Sequence, residues 1–175
     1  MNKEATVRGP AGAANGLTRR QVVVGTAIGL GSLAVLAAPA RAAGADTSLH
    51  QELDFKTSPE RVYEALLDEK QFSAFTGGTA EIHREAGGTF RLFGGLQGIK
   101  GVTGRNVELI PNQCIVQVWR AEFWPAGVYS VVRFELKAQD GGTRVVLDQA
   151  SFAPLPPAAA WSKMYWDPLR KYLAS

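Results

Sequence analysis

His83 and Glu85 stand two positions apart, a spacing that puts both side chains on one face of a strand, where a carboxylate orients an imidazole as general base. No nucleophile and no third group follow at a motif spacing, so the pair reads as a surface contact. Arg120 has the chemistry to clamp a ligand carboxylate; an ion pair with Glu122 or Glu108 is the competing use. Gln149 shares a strand face with Val145 and Leu147, which aims an amide inward, either to orient a ligand carbonyl or to bond backbone or a trapped water. The single cysteine, Cys114, excludes a disulfide framework and any multi-cysteine zinc or iron–sulfur site, and two histidines are little material for a metal centre. Cys114 reads as a buried small hydrophobe, and His50 falls on a solvent face. Gly87-Gly88 and Gly94-Gly95 do not precede a helix, so neither cradles a phosphate. No catalytic residue, metal or cofactor is expected.

The richer material is aromatic: Trp119, Trp124, Trp161, Trp166, Tyr129 and Tyr165, with Phe90, Phe93 and Phe134. At strand or helix spacing such rings either fill a solid core or line an apolar pocket.

The elements that carry them follow from periodicity. Leu49, Gln51, Leu53 and Phe55 alternate with polar neighbours as a half-buried strand. Ser58-Pro59-Glu60 then opens a helix as N-cap, N1 and first-turn acid, with Val62, Tyr63, Leu66 and Leu67 as its buried stripe. A second short helix around Glu69 to Phe75 ends at Gly77-Gly78. Six strands are predicted next, over 80–84, 89–93, 101–110, 113–120, 128–138 and 143–151, separated by turn residues such as Pro111-Asn112 and Asp140-Gly141-Gly142. Val132, Phe134 and Leu136 point inward against Arg133, Glu135 and Lys137. On the 113–120 strand spacing leaves two faces open, one with Ile115, Gln117 and Trp119, the other with Val116, Val118 and Arg120. A final helix reaches about Ala174, with Trp161, Met164, Tyr165, Leu169, Tyr172 and Leu173 on one face. Pro168 removes one of its hydrogen bonds and should kink it.

Residues 1–43 carry five basic side chains against Glu4 alone, leaving 14 basic and 15 acidic residues in the remainder. The excess charge is therefore in a leader, which argues against a nucleic-acid surface on the folded part. Arg19 and Arg20 stand beside an apolar run from Val22 to Ala38, and Ala40-Arg41-Ala42 closes it with a cleavage pattern. Paired arginines in this position resemble a twin-arginine signal. The expectation is an export signal over 1–43, cleaved near Ala42–Ala43, and one domain over 44–175. The run is diluted by glycines and sits at the short edge of a span, so no stable membrane insertion is expected after processing. The protein is expected in the periplasm or outside the cell, with the twin-arginine export machinery as a partner.

The layout is α+β: an antiparallel sheet of about seven strands, two short helices after the first strand, and one long final helix to cover the buried face. The segments 87–95, 108–111, 115–120, 124–130 and 165–169, read in that order, resemble the family named for the C-terminal domain of the activator of heat-shock protein 90 ATPase, within the START-like (SRPBCC) superfamily. The resemblance implies a helix-grip fold, a curved sheet wrapped around the last helix, enclosing a cavity between them. It makes Phe90, Trp119, Arg120, Phe134, Leu136, Leu147, Gln149, Trp161, Tyr165 and Leu169 candidate lining. It implies a monomer that binds a small hydrophobic molecule. Two alternatives belong to the same superfamily: a co-chaperone-type interaction module, and a cyclase- or hydrolase-like enzyme using His83 or Arg120. The length leaves no room for the separate chaperone-binding domain of the family's namesake, the leader points away from the cytoplasm, and the 151–157 linker is short beside the family pattern.

Overall fold

Ser58 begins the first helix as the sequence predicts: its Oγ accepts from the Arg61 N–H at 3.3 Å, and Pro59 occupies the first turn, where no N–H is needed. A computed structural model describes residues 46–98 and 100–175; the leader lies outside these residues. The elements are β1 (Ser48–Phe55), α1 (Pro59–Leu67), α2 (Glu69–Thr76), β2 (Thr79–Ile82), β3 (Thr89–Gly94), β4 (Val102–Ile110), β5 (Cys114–Ala121), β6 (Ser130–Gln139), β7 (Gly142–Ser151), α3 (Ala158–Trp161) and α4 (Asp167–Leu173). Asp68 joins the two short helices. Its N–H donates to the Glu64 carbonyl at 2.8 Å while its Oδ1 accepts from the Gln71 N–H at 2.9 Å, so one residue closes α1 and opens α2. Gly77 ends α2 at φ 76°, a left-handed conformation that glycine adopts without a Cβ penalty.

The strands form one antiparallel sheet in the order β1-β7-β6-β5-β4-β3-β2. The α+β, START-like architecture is thus present. One face of the sheet is buried: Val132, Phe134 and Leu136 of β6 lie opposite Gln149, Leu147 and Val145 of β7, all inward. On β5 the face left open by spacing is settled by packing. Ile115, Gln117 and Trp119 are buried, and Arg120 points to the outer face. Cys114 is buried, and burial pushes its thiol pKa up.

Two sequence expectations need correction. The strand expected over 80–84 ends at Ile82, so His83 and Glu85 sit in an exposed turn, where no strand holds them on a common face. The last helix is not a uniform stripe. Between α3 and α4, Ser162–Trp166 winds as a π-turn, and the Asp167 N–H donates to the Ser162 carbonyl five residues back. The wider turn comes just before Pro168, which has no N–H to give, so the interruption expected from proline appears as a π-bulge. The extra residue per turn brings Tyr165 and Trp166 inward together. Met164, expected on the buried stripe, is 38% exposed, while Trp166 is fully buried.

Trp166 donates to Gln51 Oε1 at 2.8 Å, which ties this helical segment to β1. No helix among the described residues is long and apolar enough to cross a membrane.

Candidate functional site

The rings from the sheet and the last helix pack solidly at one end of the buried face. Phe72 meets Phe75, Phe93 and Tyr165 at centroid distances of 4.9, 5.4 and 5.8 Å, and Phe134 stacks on Tyr165 at 6.3 Å and 17°. At the other end the facing residues are small. Ala121 on β5, Ser130 on β6 and Ala160 on α3 surround a cavity of about 330 Å³. Its aromatic walls are Phe93, Trp119, Trp124, Trp161 and Tyr165, and Gln149 reaches it from β7. Exposed residues form its rim: Phe123 in the turn after β5, Met164 on the π-turn, and Gly98 and Lys100 between β3 and β4.

Each wall is held by identifiable partners. Trp119 stacks on Trp161 at 5.7 Å and 30°, and its indole N–H donates to Gln117 Oε1 at 2.8 Å. Gln117 Nε2 donates in turn to Asn106 Oδ1 at 2.8 Å, and Asn106 Nδ2 to the His83 carbonyl at 2.8 Å. This buried chain fixes the plane of the Trp119 ring. Phe93 takes φ 60°, an uncommon conformation for a bulky residue and costly in backbone strain, held here by packing against Phe72 and Tyr165. Burial pushes the Tyr165 phenol above its ordinary pKa, so its hydroxyl stays protonated.

Gln149 is 6% exposed. Its Nε2 donates to Ser130 Oγ at 3.0 Å, and its Oε1 has no hydrogen-bond partner among the described residues. Among the described residues the amide bonds a serine side chain and no backbone group.

Of the candidate lining residues, Trp119, Gln149, Trp161 and Tyr165 meet at the cavity. Phe134, Leu136, Leu147 and Leu169 fill the solid core behind it. Phe90 backs Trp119 edge-on at 6.2 Å. Arg120 stands on the opposite face of the sheet and donates to the Trp124 carbonyl at 3.2 Å, with neither Glu122 nor Glu108 among the ion pairs of the described residues. The residues not singled out as lining include Ser130, whose place two before Val132 on an alternating strand already marks it as inward. Ala121, Ala160, Gly98 and Lys100 gave no such signal, because their role depends on what they face.

The outer face of the sheet carries a second, polar groove of about 550 Å³, lined by Arg91, Arg105 and Arg120 with Glu81, His83 and Tyr129. The ion-paired arginines lie elsewhere, as in Arg84–Glu64 and Arg144–Asp54. Among the described residues none of the three groove arginines has a carboxylate within ion-pair distance. No group of three or more His, Cys, Asp or Glu among the described residues comes together as a metal site would require.

A seven-stranded antiparallel sheet gripping a C-terminal helix over an apolar cavity defines the START-like class. The chain belongs to the Activator of Hsp90 ATPase homolog 1-like protein family, whose pattern matches residues 56–174. It is 26% identical over 121 residues to the human "Activator of 90 kDa heat shock protein ATPase homolog 1", covering 67% of this chain and 34% of that protein. A Dictyostelium discoideum activator homolog is 35% identical over 79 residues, 45% of this chain and 19% of that protein. The chain thus spans about a third or less of the length of these relatives. Among solved structures, an HSP90 activator from Plasmodium falciparum superposes with a TM-score of 0.63 at 20% identity, covering 74% of this chain and 97% of that one. CalU16 from Micromonospora echinospora superposes with a TM-score of 0.58 at 20% identity, covering 73% and 76%. At these identities the structures speak for the fold alone.

Proposed function

We propose that this domain binds a small apolar ligand in the cavity between the sheet and its last helix. The observation that carries the reading is the room of about 330 Å³ left among Phe93, Trp119, Trp124, Trp161 and Tyr165, with an exposed rim through which a ligand enters. A two-ring ligand burying roughly 250 Å² of apolar surface gains about 6 kcal/mol at about 25 cal/mol per Å², a Kd in the tens of micromolar. Three of the chain's four tryptophans line the cavity, and two of them, Trp119 and Trp161, are stacked on each other. Titration with naphthalene is therefore expected to change tryptophan emission and to raise the melting temperature. If neither signal moves with naphthalene or with a panel of lipids of similar girth, the reading is wrong.

A second reading has its own observation. Relatives of this chain bear the name of chaperone ATPase activators, and the outer groove offers three arginines with no carboxylate at ion-pair distance among the described residues. In that reading the groove docks an acidic surface of a chaperone, and the protein stimulates ATP turnover. Arg91→Glu combined with Arg120→Glu should abolish stimulation and leave naphthalene binding intact. His83 and Arg120 lie across the sheet from the cavity, so an enzymatic reading through either finds no support at a molecule bound inside.

The leader adds a location. Export by a twin-arginine-type route predicts a processed chain beginning near Ala43 outside the inner membrane, and retention of the precursor when Arg19 and Arg20 are both replaced by lysine. A full-length chain confined to the cytoplasm in the unaltered protein would contradict it.

A further inference from the structure

We infer that the cavity ligand carries a hydroxyl as its polar group, held between Gln149 and Ser130; the inference rests on the cavity reading and names the chemistry of its occupant. Gln149 Oε1 is a buried acceptor with no partner among the described residues, in a residue that lines the cavity. Its neighbours in the sheet register, Leu49 on β1 and Val132 on β6, have no side-chain donor to give it. Ser130 is 1% exposed and lines the same cavity. Its Oγ accepts from Gln149 Nε2 at 3.0 Å, which leaves the serine hydrogen available to donate. The two side chains therefore present one acceptor and one donor side by side, in walls that are otherwise mostly hydrocarbon.

A hydroxyl satisfies both at once, because it donates to Gln149 Oε1 and accepts from Ser130. A ketone or ether accepts only and would set an oxygen against the unpartnered Oε1. A carboxylate does the same with a full charge, and the nearest cation in the lining, Lys100, is exposed at the rim. A protonated amine has no carboxylate in the lining to pair with. At a water's share of about 30 Å³ per non-hydrogen atom, the cavity takes roughly eleven such atoms. That is the size of a two-ring phenol or a medium-chain alcohol.

The test is a fluorescence or calorimetric titration of the purified protein with 2-naphthol, 2-methoxynaphthalene and naphthalene, which share one ring system. The expected result is 2-naphthol binding about 10-fold tighter than either of the others, the value of one well-made hydrogen bond to a buried acceptor. In Gln149→Met, a substitution close in volume, that preference should vanish while naphthalene still binds, which also shows that the variant is folded. Equal binding of 2-naphthol and naphthalene to the unaltered protein overturns the hydroxyl inference and leaves the cavity reading standing. Tighter binding of 2-methoxynaphthalene overturns it too, since an acceptor alone would then be wanted. Binding of none of the three removes the cavity reading and this inference with it. The comparison in the unaltered protein stands even if Gln149→Met fails to fold.

Discussion

At the scale of single residues, the polar groups inside this protein matter more than their number suggests. Gln117 shares a strand face with Trp119, but alternation left open which face of β5 is buried, and packing settled it. Its partner was not legible either, because Asn106 lies at a shift in the β4–β5 register that no local pattern announces. Replacing Gln117 by leucine strands both the Trp119 indole N–H and Asn106 Oδ1. Each buried orphan costs about 1–3 kcal/mol, so the variant should lose about 3 kcal/mol in urea unfolding and alter the near-UV circular dichroism of Trp119. An unchanged midpoint would show that the chain of amides does not hold the ring. On the surface, His50 Nδ1 lies 2.6 Å from Asp148, and that hydrogen bond raises the imidazole pKa above its ordinary 6.5. A raised histidine pKa stabilises the fold fully below 6.5, and the contribution fades as pH rises through the higher folded value. Proton NMR should therefore find His50 titrating above 6.5, and Asp148→Asn should bring it down.

At the scale of elements, close approach sets what the strands tolerate. Gly104 on β4 lies opposite Phe90 on β3 and Trp119 on β5, and an added Cβ would overlap the Phe90 ring and the Val118 carbonyl oxygen. Gly104→Ala should cost about 3 kcal/mol, the upper part of the range for overpacking. Because the Val118 oxygen belongs to the backbone, shortening Phe90 to leucine in the same chain should not restore stability. Full rescue by that second change would place the strain in the ring alone. The π-turn teaches a related point. Proline announced an interruption, but only the packing of Tyr165 against Phe134 and Trp166 against Phe55 determined that the helix widens to bury both rings.

At the scale of the molecule, the two faces of the sheet are chemically distinct and can be tested separately. Ala160 lines the cavity from the helix. Ala160→Leu should fill part of that room, raising stability by about 0.5–2 kcal/mol in thermal unfolding and weakening naphthalene binding at least 10-fold. Any chaperone stimulation through the outer arginines should persist in that variant. Loss of stability with unchanged binding would mean that the leucine does not enter the cavity.

Alternation, capping residues and turn chemistry are local, and they determined the order of elements, the inward parity of β1, β6 and β7, and the caps at Ser58 and Gly77. The excess of basic residues over 1–43, too, is a property of the chain as written. The cavity is different in kind. It exists because Ala121, Ser130 and Ala160, from three separate elements, come face to face beyond the point where Phe72, Phe134 and Tyr165 fill the space. Periodicity specifies the direction in which a side chain points and not the volume it meets there. Only the tertiary structure decided, therefore, which aromatic residues are core, which are wall, and that Gln149 is left with an oxygen to offer.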